Sequence, residues 1–428
     1  MPTESRLRVA QALHSVFGQG SRIPDSWDAD LSSEDAIFGR ALLGLCLRRW
    51  GRIQAFIQPK LTDASRGLPL GSQVSLAIGF AQLAWLSGVS DHAAVNEAVE
   101  LAGDRALGFP PHKGLVNALL RAGAKDREQV RAALDALPAS LDRTPFAERV
   151  LKDALAPHHQ EAHLEELWTR LQEPARPAFR IVKEGPLPEG LEPDVELPGA
   201  FKLAPGSDFP RQWLSLGAGM VQDRSSQRLM TFLWDKPVKR IADLCAAPGG
   251  KTTSLALRWP DAELFAVEQH PRRARRLEEN LHLRSIKTQL VIEEAATWLQ
   301  RTRTTFDLIL LDAPCTGSGT LRKHPELVWL GDDLDLKSLE KTQRTLLNAA
   351  IASLAPGGLL IFSVCSWLPE ECQLLKDSLL TQDSNVELCP VWAMGPGERL
   401  TSAFSLDPIL WDGEGFQAFA LTKSEMAV

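Results

Sequence analysis

The run Leu308-Ile-Leu-Leu311 is apolar throughout and stops abruptly at Asp312-Ala-Pro-Cys315. A short apolar run without alternation fits a strand buried on both faces, as in a parallel sheet covered by helices. Pro314 cannot donate to a sheet ladder and ends the strand, and Thr316-Gly-Ser-Gly319 supplies a tightly turning loop. A carboxylate and a thiol therefore leave the carboxyl end of a buried strand, which is where open α/β sheets bind their ligands.

The same pattern repeats on either side. Ile241–Cys245 reads as a strand, Ala246-Ala-Pro-Gly-Gly-Lys-Thr252 as a turn, and Thr252–Leu257 as a helix. Leu264–Val267 is a strand ending at Glu268, Pro271–His282 a helix, and Leu290–Ile292 a strand ending at Glu293-Glu294. A helix over about 334–354 and a strand over 357–363 complete the series. This alternation predicts an α/β, Rossmann-like domain with a doubly wound, mostly parallel sheet over 216–428.

The front of the chain differs. From about residue 5 to 170 the apolar spacing is helical: Ala36, Ile37, Ala41, Leu42, Leu45 and Cys46 form one face, with Ser32-Ser-Glu-Asp35 as caps. Further faces run through Val74–Leu86, Val95–Ala102 and Val116–Leu120, so residues 1–165 are expected to be an all-α domain. Between the two, prolines crowd residues 173–210, and 166–215 reads as a linker with a few short strands such as Ala178–Val182.

Which ligand does the glycine turn hold? A phosphate loop ending in Gly250-Lys-Thr252 needs a glycine where Cys245 stands, and the dinucleotide G-x-G-x-x-G pattern is absent. What remains is a turn that lets a ligand approach the backbone, and an acid, Glu268, placed to accept bonds from both ribose hydroxyls. That suits a phosphate-free nucleoside such as S-adenosylmethionine.

Bulk properties narrow the class. The 428 residues carry a formal net charge of -7, so any polyanion site must be a local basic patch on an acidic protein. No apolar run reaches about 18 residues, and the N-terminus lacks the apolar core of a secretory signal, so neither membrane span nor leader is expected. The 6 cysteines, without a C-x-x-C pair, argue against a zinc site or disulfide framework and for a reducing cytoplasm. No metal and a monomer are expected.

Three segments then carry a resemblance. Asp243-Leu-Cys-Ala-Ala-Pro-Gly-Gly-Lys-Thr252, Leu311-Asp-Ala-Pro-Cys-Thr-Gly-Ser-Gly319 with Arg322-Lys-His-Pro325, and Phe362-Ser-Val-Cys-Ser-Trp-Leu-Pro-Glu-Glu371 occur in this order. Together they closely resemble the Sun/NSUN family of RNA cytosine carbon-5 methyltransferases. Leu42-Leu-Gly-Leu-Cys-Leu-Arg-Arg49, Asp91–Ala102 and Lys113–Arg121 resemble the NusB family of RNA-binding helical domains. The combination resembles the RsmB (Sun/Fmu) branch, whose members act on 16S ribosomal RNA.

The resemblance implies that Cys365 is the nucleophile, Cys315 assists product release, and Asp312 serves the ring nitrogen of cytosine. Carbon 5 of cytosine is a poor nucleophile; a thiolate added to carbon 6 makes an enamine that attacks a methyl sulfonium. The resemblance further implies an S-adenosylmethionine site of Cys245, Ala246, Ala247, Pro248, Gly249, Gly250, Lys251, Glu268 and Asp312. Glu294 or Glu293 would stand on the adenine side, and Gln222-Asp223 would be structural support. It also implies that the helical third touches RNA, with Arg48, Arg49, Lys113 and Arg121 as phosphate contacts. Beside the chemistry, Arg322, Lys323 and His324 are better placed for RNA phosphate than the Arg272–Arg276 helix face, which reads as solvated.

Departures from the family leave the substrate open. The 174–215 segment is shorter than the family's insert, Arg180-Ile-Val182 stands where Arg-x-Asn is usual, and the chain contains no tyrosine. The same chemistry on transfer RNA or another RNA, and a non-catalytic RNA-binding assembly factor, are the alternatives.

Overall fold

The computed structural model of the chain describes residues 2–24, 26–61, 67–104, 112–331, 334–382, 385–393 and 399–424. Two compact units emerge, and neither is continuous in sequence: one takes 1–149, 168–174 and 321–334, the other 150–167, 175–320 and 335–428.

The first unit is helical. It contains α1 (Glu4–Gln19), α2 (Ser33–Arg48), α3 (Trp50–Ile57), α4 (Leu70–Trp85), α5 (Asp91–Leu101), α6 (Lys113–Ala124) and α7 (Arg127–Asp135). α4 is apolar nearly all round and buries every residue except Leu70, Gln73 and Trp85, as a helix surrounded by others must. Ser32 and Ser90 cap α2 and α5, each side chain accepting from a backbone N–H of the first turn. The helix α8 (Pro145–Leu155) crosses from this unit into the second, and α9 (Leu164–Leu171) crosses back.

The 166–215 stretch is more than a linker. β1 (Ala178–Ile181), β2 (Leu191–Pro193), β3 (Ala200–Leu203) and, past the short helix α10 (Arg211–Ser215), β4 (Gly219–Val221) form an antiparallel sheet in the order β2-β3-β1-β4. Phe179, Leu191 and Phe201 bury its apolar face. The prolines sit in its turns and on the edge strand β2, positions where a missing N–H costs nothing.

Then α11 (Arg224–Leu229) leads into the large sheet. Its parallel core comprises β5 (Arg240–Leu244), β6 (Glu263–Val267), β7 (Gln289–Val291), β8 (Phe306–Asp312) and β9 (Leu354–Val364). The intervening helices are α12 (Gly250–Arg258), α13 (Pro271–Leu283), α14 (Ala295–Thr302), α15 (Leu327–Leu330) and α16 (Leu336–Ser353). After α17 (Gln373–Gln382) come β10 (Val386–Leu388), a small hairpin of β11 (Trp392–Ala393) and β12 (Leu400–Thr401), β13 (Ala403–Ser405) and β14 (Gln417–Lys423). The strand order β10-β14-β9-β8-β5-β6-β7 makes a mostly parallel Rossmann-like sheet, with β14 antiparallel to β9. Strand order reverses between β5 and β8, which is where the ligand crevice of such a sheet opens.

β8 is buried on both faces, as its composition demands. Ile309 and Leu311 pack with α14, α16 and α17, while Leu308 and Leu310 pack with α11, α12, Trp392 and Phe404.

The Arg322–Pro325 stretch departs from expectation. Instead of standing wholly free as a loop, residues 321–334 belong to the helical unit. Leu330 joins that unit's core, Trp329 donates its indole N–H to the Leu47 carbonyl at 2.9 Å, and Thr144 donates to the Val328 carbonyl at 2.6 Å. The physical reason is the apolar content of Leu321, Leu327, Val328, Trp329 and Leu330, which needs a core to enter.

Candidate active site

Pairing between β8 and β9 sets the geometry. Asp312 lies opposite Ser363, and the Ala313 N–H donates to the Ser363 carbonyl at 2.9 Å. Each strand then runs on two or three residues and delivers a cysteine, so that Cys315 Sγ and Cys365 Sγ stand 3.4 Å apart. The hydrogen bond between the sulfurs, and then burial, push the Cys315 thiol well above its ordinary range.

Asp312 is held from two sides. Lys251 Nζ meets Oδ2 at 2.7 Å, and Ser363 Oγ donates to Oδ1 at 2.8 Å. Burial works against the Lys251 ammonium, but Asp312, Cys365 and Asp243 outweigh it and raise its pKa. Lys251 thus joins Asp312 and the thiol pair, and the centroid of the Phe416 ring lies 5.6 Å from its Nζ.

The turn after β5 is built for close approach. Cys245 takes a left-handed backbone at φ 62, the Ala247–Pro248 bond is cis, and Gly249 sits at φ 104. The Ala246 N–H donates to the Val267 carbonyl at 2.9 Å, which ties the turn to the end of β6. A methyl at Gly249 would stand 2.8 Å from Leu277 Cδ1, so both φ and space require glycine there. Burial pushes the Cys245 thiol up to about 12, with Asp312, Glu268 and Asp243 adding to the effect, which makes it a packing group rather than a nucleophile.

Glu268 lies at the end of β6 and is only 2% exposed. One oxygen accepts from the His270 N–H at 3.0 Å; the other is buried without a hydrogen bond, 3.6 Å from Arg273 Nε. Glu294 is differently engaged: it caps α14, accepting from the Ala296 and Thr297 N–H groups at 3.0 and 2.7 Å. Burial pushes Glu294 up, but those bonds prevail and lower its pKa. Glu293 pairs with Arg301 at 2.7 Å.

Several basic expectations change. Arg322 is 8% exposed and donates to the Pro174 carbonyl at 3.3 Å, so it is an internal tie rather than a surface phosphate contact. Arg48 donates to the Arg322 carbonyl at 2.6 Å, and burial first, then Arg322, depress it to about 10. Lys113 pairs with Glu100 at 3.0 Å, Arg121 bonds Asn117 at 2.9 Å, and Arg49 lies 5.7 Å over the Trp85 ring. Lys323 and His324 are exposed, as is the Arg272–Arg276 face apart from Ala274.

The sequence offered Gln222 only as structural support beside Asp223. Both polar atoms of its amide are buried without partners, and a methyl at Gly250 would stand 3.4 Å from its nitrogen. Asp223 does act as support, capping α11 through the Ser225 N–H at 2.8 Å. The family resemblance pointed to Gln222 but not to its burial.

Comparison with known proteins gives the lineage. Residues 230–416 match the model described as 16S rRNA methyltransferase RsmB/F, and residues 3–125 match the NusB family. Ribosomal RNA small subunit methyltransferase B of Vibrio cholerae is 29% identical over 92% of this chain and 93% of its own. The protein of the same description from Escherichia coli O1:K1 / APEC is 30% identical over 90% and 91%. Among solved structures, PH0851 superposes with TM-score 0.75 at 20% identity, covering 99% of this chain and 100% of that one. NSun6 from Pyrococcus horikoshii, solved with SFG, gives 0.55 at 20% identity over 65% of this chain and 98% of its own. These last two establish a shared fold. Matched along nine-tenths of its length by a 30% identical relative, the chain belongs to the ribosomal RNA small subunit methyltransferase B family.

Proposed function

We propose that this protein forms 5-methylcytosine in small-subunit ribosomal RNA, working as a monomer in the cytoplasm without a metal. The carrying observation is the thiol pair, 3.4 Å between sulfurs, beside the Lys251–Asp312 ion pair at the sheet's switch point. A lone thiol would fit many roles; two facing thiols next to a proton-holding pair fit addition to and elimination from a pyrimidine ring.

The pocket suits S-adenosylmethionine, which supplies an electrophilic methyl group when bound. The unbonded Glu268 oxygen fits a ribose hydroxyl, the Gly249-Gly250 turn admits a ligand against the backbone, and the Gln222 amide awaits polar partners. Cys245, Ala246, Ala247, Pro248 and Lys251 line the same turn. Glu294, which caps α14, is assigned the adenine side.

Cys365, reacting as the thiolate, adds to carbon 6 of cytosine. Asp312, held by Lys251 and Ser363, orients and protonates the ring nitrogen with the Lys251 proton within reach. After methylation the carbon-5 proton leaves to water, its bonding pair re-forms the carbon 5–carbon 6 double bond, the carbon–sulfur pair returns to Cys365, and the ring-nitrogen proton returns to the Lys251–Asp312 pair. Cys315 donates its S–H to that departing sulfur. The target cytosine must be unstacked for this to happen, as in other enzymes that act on a base.

The test is methyl transfer from labelled S-adenosylmethionine to unmodified small-subunit RNA. Label at cytosine carbon 5, lost in Cys365→Ala and replaced by a stalled protein–RNA adduct in Cys315→Ala, is expected. Labelling at another atom, or full activity in Cys365→Ala, refutes the reading.

A further inference from the structure

Beneath the thiol pair lies a carboxylate with no part in the chemistry described so far. Glu371 is fully buried, at 0% exposure. Its Oε1 accepts from the Thr316 N–H at 2.8 Å and from Gln343 Nε2 at 3.1 Å, and its Oε2 accepts from the Thr316 hydroxyl at 2.5 Å. Gln343 also donates to the Pro314 carbonyl at 2.9 Å. Glu371 therefore grips the residues on both sides of Cys315. The connection closes from the other strand as well: Glu371 follows Cys365 by one short turn, over which Ser366 Oγ meets Ser318 Oγ at 2.8 Å. The Gly319 N–H donates to the Cys365 carbonyl at 3.1 Å.

A buried carboxylate is costly unless its acceptors are filled, and here two of its bonds go to Thr316 on the loop that carries one thiol and the third to Gln343, which itself holds Pro314. A hydrophobic residue could fill that space. What it could not do is fix the height of Cys315 relative to Cys365, because Thr316 would lose the acceptor for both its donors. The charge of Glu371 also adds to the effects that raise the Cys315 pKa.

We infer that Glu371 is a positioning residue for product release: through Thr316 it holds the Cys315 S–H against Cys365 Sγ, where it assists departure of that sulfur. The inference rests on the cysteine-adduct reading above. It assigns no role to Glu371 in adduct formation, for which Cys365 and the Lys251–Asp312 pair suffice. The step it governs is the elimination: the carbon-5 proton goes to water, the ring double bond re-forms, the ring-nitrogen proton returns to the Lys251–Asp312 pair, and the carbon–sulfur pair returns to Cys365 as Cys315 donates its hydrogen bond.

The experiment compares wild type, Glu371→Gln, Thr316→Val and Thr316→Ser as full-length proteins on unmodified small-subunit RNA. A glutamine has one acceptor oxygen, so one of the three donors must face an N–H group. Thr316→Val keeps the backbone bond and removes the hydroxyl. The expected result is single-turnover methylation near the wild-type rate and a denaturation-resistant protein–RNA adduct that accumulates. Steady-state kcat should fall roughly ten- to a hundredfold, the scale of a lost charge-assisted hydrogen bond. KM for RNA should fall with it, leaving kcat/KM close to wild type, the signature of slowed release. Thr316→Ser should restore turnover. Wild-type kcat in Glu371→Gln overturns the inference. So does a parallel loss of adduct, kcat/KM and cofactor binding, which marks a merely structural carboxylate. If wild type itself methylates without any adduct in Cys315→Ala, the underlying reading fails, and this inference with it.

Discussion

Gly319→Ala should damage this protein more than its chemistry suggests. A methyl built on Gly319 would stand 2.1 Å from the Gly415 carbonyl oxygen, 2.6 Å from its carbon and 2.7 Å from its Cα. All three are backbone atoms, so no side chain can rotate away, and the two loops must separate by roughly 1 Å to reach ordinary contact. Two hydrogen bonds lie in the path: Gly415 N–H to the Gly319 carbonyl at 2.8 Å, and Gly319 N–H to the Cys365 carbonyl at 3.1 Å. Overpacking costs about 1–3 kcal/mol, and each weakened bond adds about 0.5–1.5 kcal/mol, for a total of roughly 2–6 kcal/mol. For a unit of this size that is a fall in Tm of about 5–15 °C, readable by calorimetry. Because Cys365 moves with its carbonyl, methyl transfer should drop about a hundredfold, the cost of a 1 Å misplacement. Gly114→Ala is the control: nothing lies within 4 Å of its added methyl, on an exposed helical turn, and stability should hold or rise slightly. Wild-type Tm and activity in Gly319→Ala would refute the steric reasoning.

Asp243 offers a pH signature. Burial pushes its carboxyl up to about 7, against the bond from Thr252. The folded state therefore holds the proton more tightly than the unfolded chain, so this group's contribution is intact below about pH 4 and lost as pH rises through about 7. Asp243→Asn should flatten the Tm-against-pH curve in that window relative to wild type; identical curves would count against the buried acid. In the helical unit, Leu330→Ala should cost about 2–5 kcal/mol, as for a leucine removed from a packed core, seen as a lower Tm of that unit. An unchanged Tm would mean that the 321–334 segment does not complete that core.

Much of this was legible in the sequence for a simple reason. Period and punctuation report local physics, so Leu308–Leu311, the Gly249-Gly250 turn and Glu268 could be placed at strand ends before any coordinates were known. Tertiary choices were not. Leu327, Val328 and Leu330 announce a need for burial but not which core will take them, and that core is built from residues hundreds of positions earlier. The proline-rich stretch looked like a linker because three- and four-residue strands are too short to show alternation. The role of Glu371 was not legible because an acid within a motif reads as surface until its burial is known.

The discontinuity of the helical unit has a consequence during synthesis. Its core lacks Leu330 and Trp329 until the ribosome has moved from residue 149 to beyond residue 334. At about 5–20 residues per second that interval is roughly 10–40 s, long compared with the folding of most small domains. The leading helices α1 to α7 must therefore wait, with the seat for Leu330 and Trp329 unfilled, while four of the catalytic sheet's five parallel strands emerge behind them. The last part to enter the helical core arrives directly after the Cys315 loop, so that core is completed only once the segment bearing the first of the two thiols has been made.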